Sequence, residues 1–274
     1  MNANQQLWEQ GDFTRIAATM RESGEELVKE LGITNGMQVL DLGGGDGTTA
    51  LPAARLGADV VVIDIARNLV EAGNRRAAAE GLANIRFQHG DATHLDGVAD
   101  DSFDLVVSIF GAMFAPDPYA VASETVRVTK PGGRIVMGNW IPGDPTMVAQ
   151  LLKISAAYTP PPPAGFVSPM TWGVPEQVVE RFGAAGVPAA QITCEPTTYT
   201  FHYPGAPAGF VDDFRNYYGP TMNAFAAAER DGRVDELRRE LEALFTAHDT
   251  SDRDDTTVIS VTFLLVTVTV PAAD

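Results

Sequence analysis

Residues 39–47 read Val39-Leu40-Asp41-Leu42-Gly43-Gly44-Gly45-Asp46-Gly47, a short apolar run broken by one acid and then four glycines in five positions. The run predicts a strand over Gln38–Asp41, and the stretch after it predicts a helix over Thr48–Leu56, so the glycines fall where a strand turns sharply into a helix. Glycine there accepts positive φ and lets the backbone come close to a ligand. Taken alone, the loop also fits a plain tight turn.

Working outward, short β-branched runs alternate with longer helical segments. Upstream, Ile16, Met20, Leu27 and Leu31 predict one helix over Thr14–Leu31, ended by Gly32. Downstream come strand Asp59–Asp64, helix Arg67–Glu80, strand Asn84–Gln88, strand Phe103–Ile109, helix Tyr119–Val128 and strand Arg134–Trp140. Such alternation implies a parallel sheet. The pattern breaks over 141–174, where a helix over Thr146–Tyr158 runs into four prolines, Pro160 to Pro163, which are stiff and extended. Helix Pro175–Ala185 and strand Ala190–Phe201 resume it. A second insertion, 204–255, carries helices over Phe210–Tyr218, Thr221–Glu229 and Val234–Ala247 before the last strand, Thr257–Val270. The seven strands read as one α/β domain over 1–274, with core segments 32–140, 175–203 and 256–271. The two insertions are expected to form a helical lid over the substrate.

Composition sets bounds. Nineteen basic residues against 36 acidic give a net charge of −17, which repels polyanions and argues against nucleic acid or an anionic membrane surface. Arg75-Arg76 and Arg238-Arg239 read as pairs on solvated helix faces. The most apolar run, Val258–Val270, carries three threonines and is shorter than the roughly 20 residues of a spanning helix, so no membrane span is expected. The single cysteine, Cys194, reads as a buried structural thiol. The first residues lack the pattern of a signal peptide, which points to the cytoplasm. Oligomeric state is left open.

The chemistry-bearing positions gather at strand ends. Asp41 places a carboxylate near a cationic group. Asp64 ends the second strand, where an acid accepts from both hydroxyls of a ribose. After the third strand, His89-Gly90-Asp91-Ala92 offers acceptors for an exocyclic amine. A nicotinamide-binding loop would read Gly-x-Gly-x-x-Gly, but the sixth position counted from Gly43 is Thr48, which weakens a dinucleotide reading.

The glycine loop, Asp64, Gly90-Asp91-Ala92, the strand Phe103-Asp104-Leu105-Val106-Val107-Ser108 and Lys130-Pro131-Gly132-Gly133-Arg134 together resemble the ordered motifs of class I S-adenosylmethionine (SAM)-dependent methyltransferases. The resemblance spans about residues 37–140 and is narrower toward the small-molecule branch that includes ubiquinone and menaquinone biosynthesis. It implies a Rossmann-like sheet of order 3-2-1-4-5-7-6 with the seventh strand antiparallel and helices on both faces. It also implies SAM as cofactor, whose sulfonium and α-amino groups are the cations facing Asp41. Gly43 and Gly45 would line its methionine part, Asp64 with Ile65 its ribose, Asp91 with Ala92 its adenine, and Ser108 the floor near the sulfonium. Lys130-Pro131-Gly132-Gly133 reads as a turn between helix and strand, without a role in chemistry.

The activity implied is methyl transfer to a small, largely apolar acceptor through an oxygen, carbon, nitrogen or sulfur nucleophile, with a non-catalytic SAM-binding protein and an NAD(P)-dependent oxidoreductase as alternatives. Phe110 and Phe114 either wall an apolar acceptor or pack the core. Trp140, Trp172 and Tyr217 are aromatic candidates for the same wall, and Trp8 and Phe13 for a closing N-terminal segment. His202 is the candidate general base. His89, His94 and Asp91 do not make a metal site, and no metal is expected.

Overall fold

The structure is a computed structural model that describes residues 3–272. Three helices open the chain: α1 (Ala3–Glu9), α2 (Thr14–Ala18) and α3 (Arg21–Glu30). The single helix expected over Thr14–Leu31 is therefore broken. Thr19 turns its hydroxyl onto the Ile16 carbonyl at 2.7 Å, a local bond that competes with helix continuation, and its own carbonyl accepts the His202 N–H at 2.8 Å.

The alternating part follows as β1 (Gln38–Leu42), α4 (Ala50–Arg55), β2 (Asp59–Asp64), α5 (Arg67–Ala79), β3 (Ile85–His89), β4 (Phe103–Ile109), α6 (Pro118–Val128) and β5 (Thr129–Trp140). The remainder is α7 (Met147–Tyr158), α8 (Pro175–Ala184), β6 (Ile192–Tyr203), α9 (Pro207–Tyr217), α10 (Gly219–Arg230), α11 (Val234–His248) and β7 (Thr257–Thr269). The strands form one sheet of order β3-β2-β1-β4-β5-β7-β6. β7 runs antiparallel to both its neighbours, and the strand pairs on the β3 to β5 side are parallel.

Each face of the sheet has its own core. On one, Val39, Val60 and Val62 meet α4, whose Ala50, Ala53 and Ala54 let the helix lie close to the strands. Leu51 between them is fully buried, which contributes roughly 1.5–3 kcal/mol. On the other, Leu40, Leu42, Val106 and Ile135 meet α6, α8 and the cap of α7 with α9, α10 and α11. Asp117 starts α6 by accepting from the Tyr119 and Ala120 N–H groups, with Pro118 at the first helical position.

Lys130-Pro131-Gly132-Gly133 departs from the plain turn expected. Pairing begins at Phe103↔Thr129 and resumes at Leu105↔Arg134, so the motif bulges out within β5. The Gly132 N–H donates to the Val270 carbonyl and the Val270 N–H to the Gly133 carbonyl, each at 2.9 Å, while Lys130 pairs with Asp104 at 2.7 Å. Cys194 is half-buried on β6 opposite Val266, and burial raises its pKa. Among the described residues no helix is long and apolar enough to cross a membrane.

Candidate active site

Parallel strands place their carboxyl ends on one edge of the sheet, and there β1, β2, β3 and β4 open onto a cavity of about 940 Å³. Asp41, Gly43, Gly45, Asp64, Ile65, Asp91 and Ala92 all border it. The glycine loop is held by a close backbone approach. Gly43 has φ +67°, and a Cβ there would stand 2.7 Å from the Gly111 Cα. At Gly44 a Cβ would stand 2.7 Å from the Asp41 Cγ.

Asp41 is the least compensated charge in the cavity wall. It is 1% exposed, and neither carboxylate oxygen makes a hydrogen bond among the described residues. Burial first and the Asp64 carboxylate second push its pKa up to about 7, against a smaller pull downward from the Ala50 backbone N–H. Asp64 is better served: its two oxygens accept the Gly45 and Ala66 N–H groups, each at 2.8 Å. Burial still raises its pKa, opposed by those two bonds. Asp91 turns its Oδ1 onto the Thr93 N–H and hydroxyl, at 2.9 and 2.8 Å.

Asp46, inside the loop, is buried between two guanidiniums, Arg21 at 3.1 Å and Arg76 at 3.2 Å, and Arg76 also donates to the Asp46 carbonyl at 2.7 Å. Arg76 is thus drawn inward to brace the loop, whereas its neighbour Arg75 remains on the solvated face expected for both.

Beside this cavity lies a smaller aromatic chamber of about 330 Å³. Trp8, Phe13, Met20 and Phe110 border both spaces. Phe110 stacks on Trp140 at 3.7 Å and 6°, and holds φ +59°, a strained value for a side chain of this size. Phe114 faces Trp8 edge-on at 4.9 Å. The cap supplies Val148, Phe214 and Tyr218. The roof is α1, which contributes Asn4 and Trp8 and is pinned where Glu9 accepts the Arg67 N–H at 3.0 Å.

Four sequence candidates lie elsewhere. Ser108 does not border the cavity: its hydroxyl accepts the Ala112 N–H at 2.9 Å and so shapes the turn that carries Phe110. Trp172 is sealed against Arg181, 4.6 Å over its ring, and against Phe182. Tyr217 lies under Arg15 at 5.7 Å, because the inward face of α9 carries Phe210, Val211 and Phe214 and presents the next residue, Tyr218, to the chamber. His202 borders neither space. Strand alternation turns Tyr199 and Phe201 inward and His202 outward, where it meets Glu22 at 3.5 Å, too far from the cavity to serve as a base. His94 pairs with Asp96 at 2.8 Å, and among the described residues no three metal-ligating side chains converge.

The sequence reading passed over Tyr199 and chose Tyr217, whereas the structure sets Tyr218 on the chamber. Tyr199 borders the cavity from β6, its hydroxyl donating to the Met20 carbonyl at 3.2 Å and its ring edge-on to Phe110 at 5.2 Å. The alternation of Tyr199 with Phe201 was a usable signal for the face, though not for the cavity.

Residues 40–137 match the family described as "Methyltransferase domain". An uncharacterised protein of Mycobacterium tuberculosis (strain ATCC 25618 / H37Rv) is 34% identical over 242 residues, which cover 84% of this chain and 85% of that protein. A demethylmenaquinone methyltransferase of Renibacterium salmoninarum is 39% identical over 114 residues, 42% of this chain and 46% of the enzyme. Among solved structures, a Haemonchus contortus phosphoethanolamine N-methyltransferase 2, in complex with phosphomonomethylethanolamine and S-adenosylhomocysteine, shares the fold. It has a TM-score of 0.60 at 17% identity, with 99% of this chain and 61% of that one covered.

Proposed function

The chain belongs to the class I SAM-dependent methyltransferases, and from that premise we propose that its acceptor is a small, largely apolar molecule seated in the aromatic chamber. The observation that carries this reading is the shared wall: Trp8, Phe13, Met20 and Phe110 border both the strand-end cavity and the chamber, so a ligand in one abuts a ligand in the other. Alignment of nucleophile, methyl carbon and leaving sulfur in a dry space accounts for on the order of 7 kcal/mol or more of a displacement barrier.

The residues present fit the cofactor. Asp41, buried without a hydrogen-bond partner among the described residues, suits the cationic methionine end, and the loop from Gly43 to Gly45 offers bare backbone beside it. We assign Asp64 and Ile65 to the ribose and Asp91 and Ala92 to the adenine, following the order of β1, β2 and β3 in the sheet. When bound, SAM supplies an electrophilic methyl group on a sulfonium. The chain's part is to exclude water with Trp8 and Phe13, to fix the wall with the stacked Phe110 and Trp140, and to hold compensating negative charge at Asp41.

We read residues 1–274 as one catalytic domain, with α7 and α9 to α11 as the substrate cap. The net charge of −17 supports a small molecule over nucleic acid. Calorimetry with SAM, S-adenosylhomocysteine and NADH, followed by a product screen over phenols, quinols, thiols and amines, tests the reading. Binding of the first two ligands and methylation of an apolar acceptor are expected. NADH binding alone would overturn it, and tight SAM binding without product from any class would leave a binding protein.

A further inference from the structure

Two polar groups on residues that line the aromatic chamber are left without partners among the described residues. Tyr218 is 5% exposed and Trp140 4%, and among the described residues neither the Tyr218 hydroxyl nor the Trp140 indole N–H makes a hydrogen bond. Neither atom is among the fully enclosed polar atoms, unlike the Trp172 indole nitrogen, so each keeps an open side in a residue that borders the chamber. Both are donors. Burial raises the pKa of Tyr218, so the hydroxyl keeps its proton.

The rest of the wall is apolar. Phe13, Ile16, Phe114, Val148, Phe201 and Phe214 belong to it, and among the described residues no aspartate, glutamate, histidine, lysine, arginine or cysteine borders it. The carboxylates of Asp41, Asp46, Asp64 and Asp91 belong to residues that border the neighbouring cavity and not the chamber, while Phe110 and Met20 border both. A chamber with donors and no base suits a nucleophile that is already an anion. The free space of about 330 Å³, part of it open to solvent, is small and favours a compact ligand.

We propose that the acceptor is a compact phenol or enol, held by its oxygen on the Tyr218 hydroxyl and the Trp140 indole N–H and methylated as the oxyanion without a protein base. The proposal rests on the chamber being the acceptor site. The acceptor loses its proton to water before it enters. A lone pair of the oxyanion then forms the new O–C bond as the methyl C–S bond breaks, and that bond's electron pair returns to sulfur. Negative oxygen and positive sulfonium cancel, and no proton remains to be removed from the chamber. A primary or secondary amine would instead leave a cation and a surplus proton facing two donors.

The test uses the full chain with SAM against 4-nitrophenol, phenol, 1-naphthol, 1,3-cyclohexanedione, thiophenol and benzylamine, with methylated products read by mass spectrometry. Methyl ethers from the phenols and the enol are expected, with kcat/KM for each phenol rising with pH only up to that phenol's own pKa. Tyr218→Phe is expected to lower kcat/KM for the phenols about 10- to 100-fold, the range for a hydrogen bond to a charged oxygen. Affinity for S-adenosylhomocysteine should not change in that variant. A pH profile that breaks at one value for every phenol would reveal a protein base and overturn the proposal. So would product from benzylamine or thiophenol alone, which would leave the methyltransferase reading in place. SAM binding with no product from any of the six compounds also overturns the proposal while keeping the cofactor site, and absence of SAM binding overturns both.

Discussion

Gly43 and Gly111 meet backbone to backbone, so that a side chain on either would collide with the other: a Cβ at Gly111 would stand 2.3 Å from the Gly43 carbonyl oxygen. This contact joins the loop after β1 to the loop after β4, and hence the cofactor cavity to the turn bearing Phe110. Gly111→Ala is expected to cost about 1–3 kcal/mol through overpacking, a fall in Tm of roughly 2–10 °C. It should also weaken S-adenosylhomocysteine binding. Thermal denaturation and calorimetry read the two effects, and an unchanged Tm would show that the loops separate freely.

Asp64 both faces the cavity and accepts two backbone N–H groups. Asp64→Ala is therefore expected to reduce cofactor affinity by about 1–3 kcal/mol and, unlike a purely ligand-facing acid, to lower stability as well, since the Gly45 and Ala66 N–H groups lose their acceptor. Calorimetry and denaturant melts separate the two losses. Unchanged affinity would remove Asp64 from the ribose site.

Asp41 predicts a pH dependence of defined sign. Its pKa rises from 3.8 to about 7 on folding, so between those values the native state binds the proton more tightly than the unfolded chain does. Its contribution to stability is greatest at low pH, declines as pH climbs from 3.8 to about 7 and is level above that. A bound cation favours the carboxylate, so SAM affinity should increase by up to about tenfold per unit as pH rises toward 7, with proton release on binding. Asp41→Asn should abolish both slopes. Calorimetry in buffers of different ionisation enthalpy measures the released proton.

His202→Ala should leave kcat and KM unchanged and stability within about 0.5 kcal/mol, because the ring is exposed and touches only the exposed Glu22. A large fall in kcat with an intact fold would return His202 to the site.

The sheet was legible because two periodicities, apolar runs in strands and longer helical stretches between them, are written locally. Asp59–Asp64 and Phe103–Ile109 fall on the residues expected, and the strand order follows the motif order. The loops at strand ends were legible for the same reason, since Asp41, Asp64 and Asp91 are fixed by where their strands stop. The aromatic wall was not. Whether Tyr217 or Tyr218 faces inward depends on the phase of α9 against a cap that sequence spacing does not specify. Trp172 and Trp140 look alike in sequence, and only tertiary packing buries one against Arg181 and sets the other on Phe110. At Thr19, where the helix breaks, the carbonyl accepts from a strand that lies far along the chain, a partner that local spacing does not reveal.

The antiparallel β7 lies between β5 and β6 and, among the described residues, is the only sheet neighbour β6 has. During synthesis β6 emerges before α9, α10 and α11, and the strand it must pair with follows all three. A ribosome-bound chain therefore carries β6 as an unsatisfied edge, with Tyr199 and Phe201 still seeking their place, until β7 has cleared the exit tunnel. The cavity wall that Tyr199 completes consequently cannot form until β7 has emerged, and the nascent protein lacks ligand-binding competence up to that point.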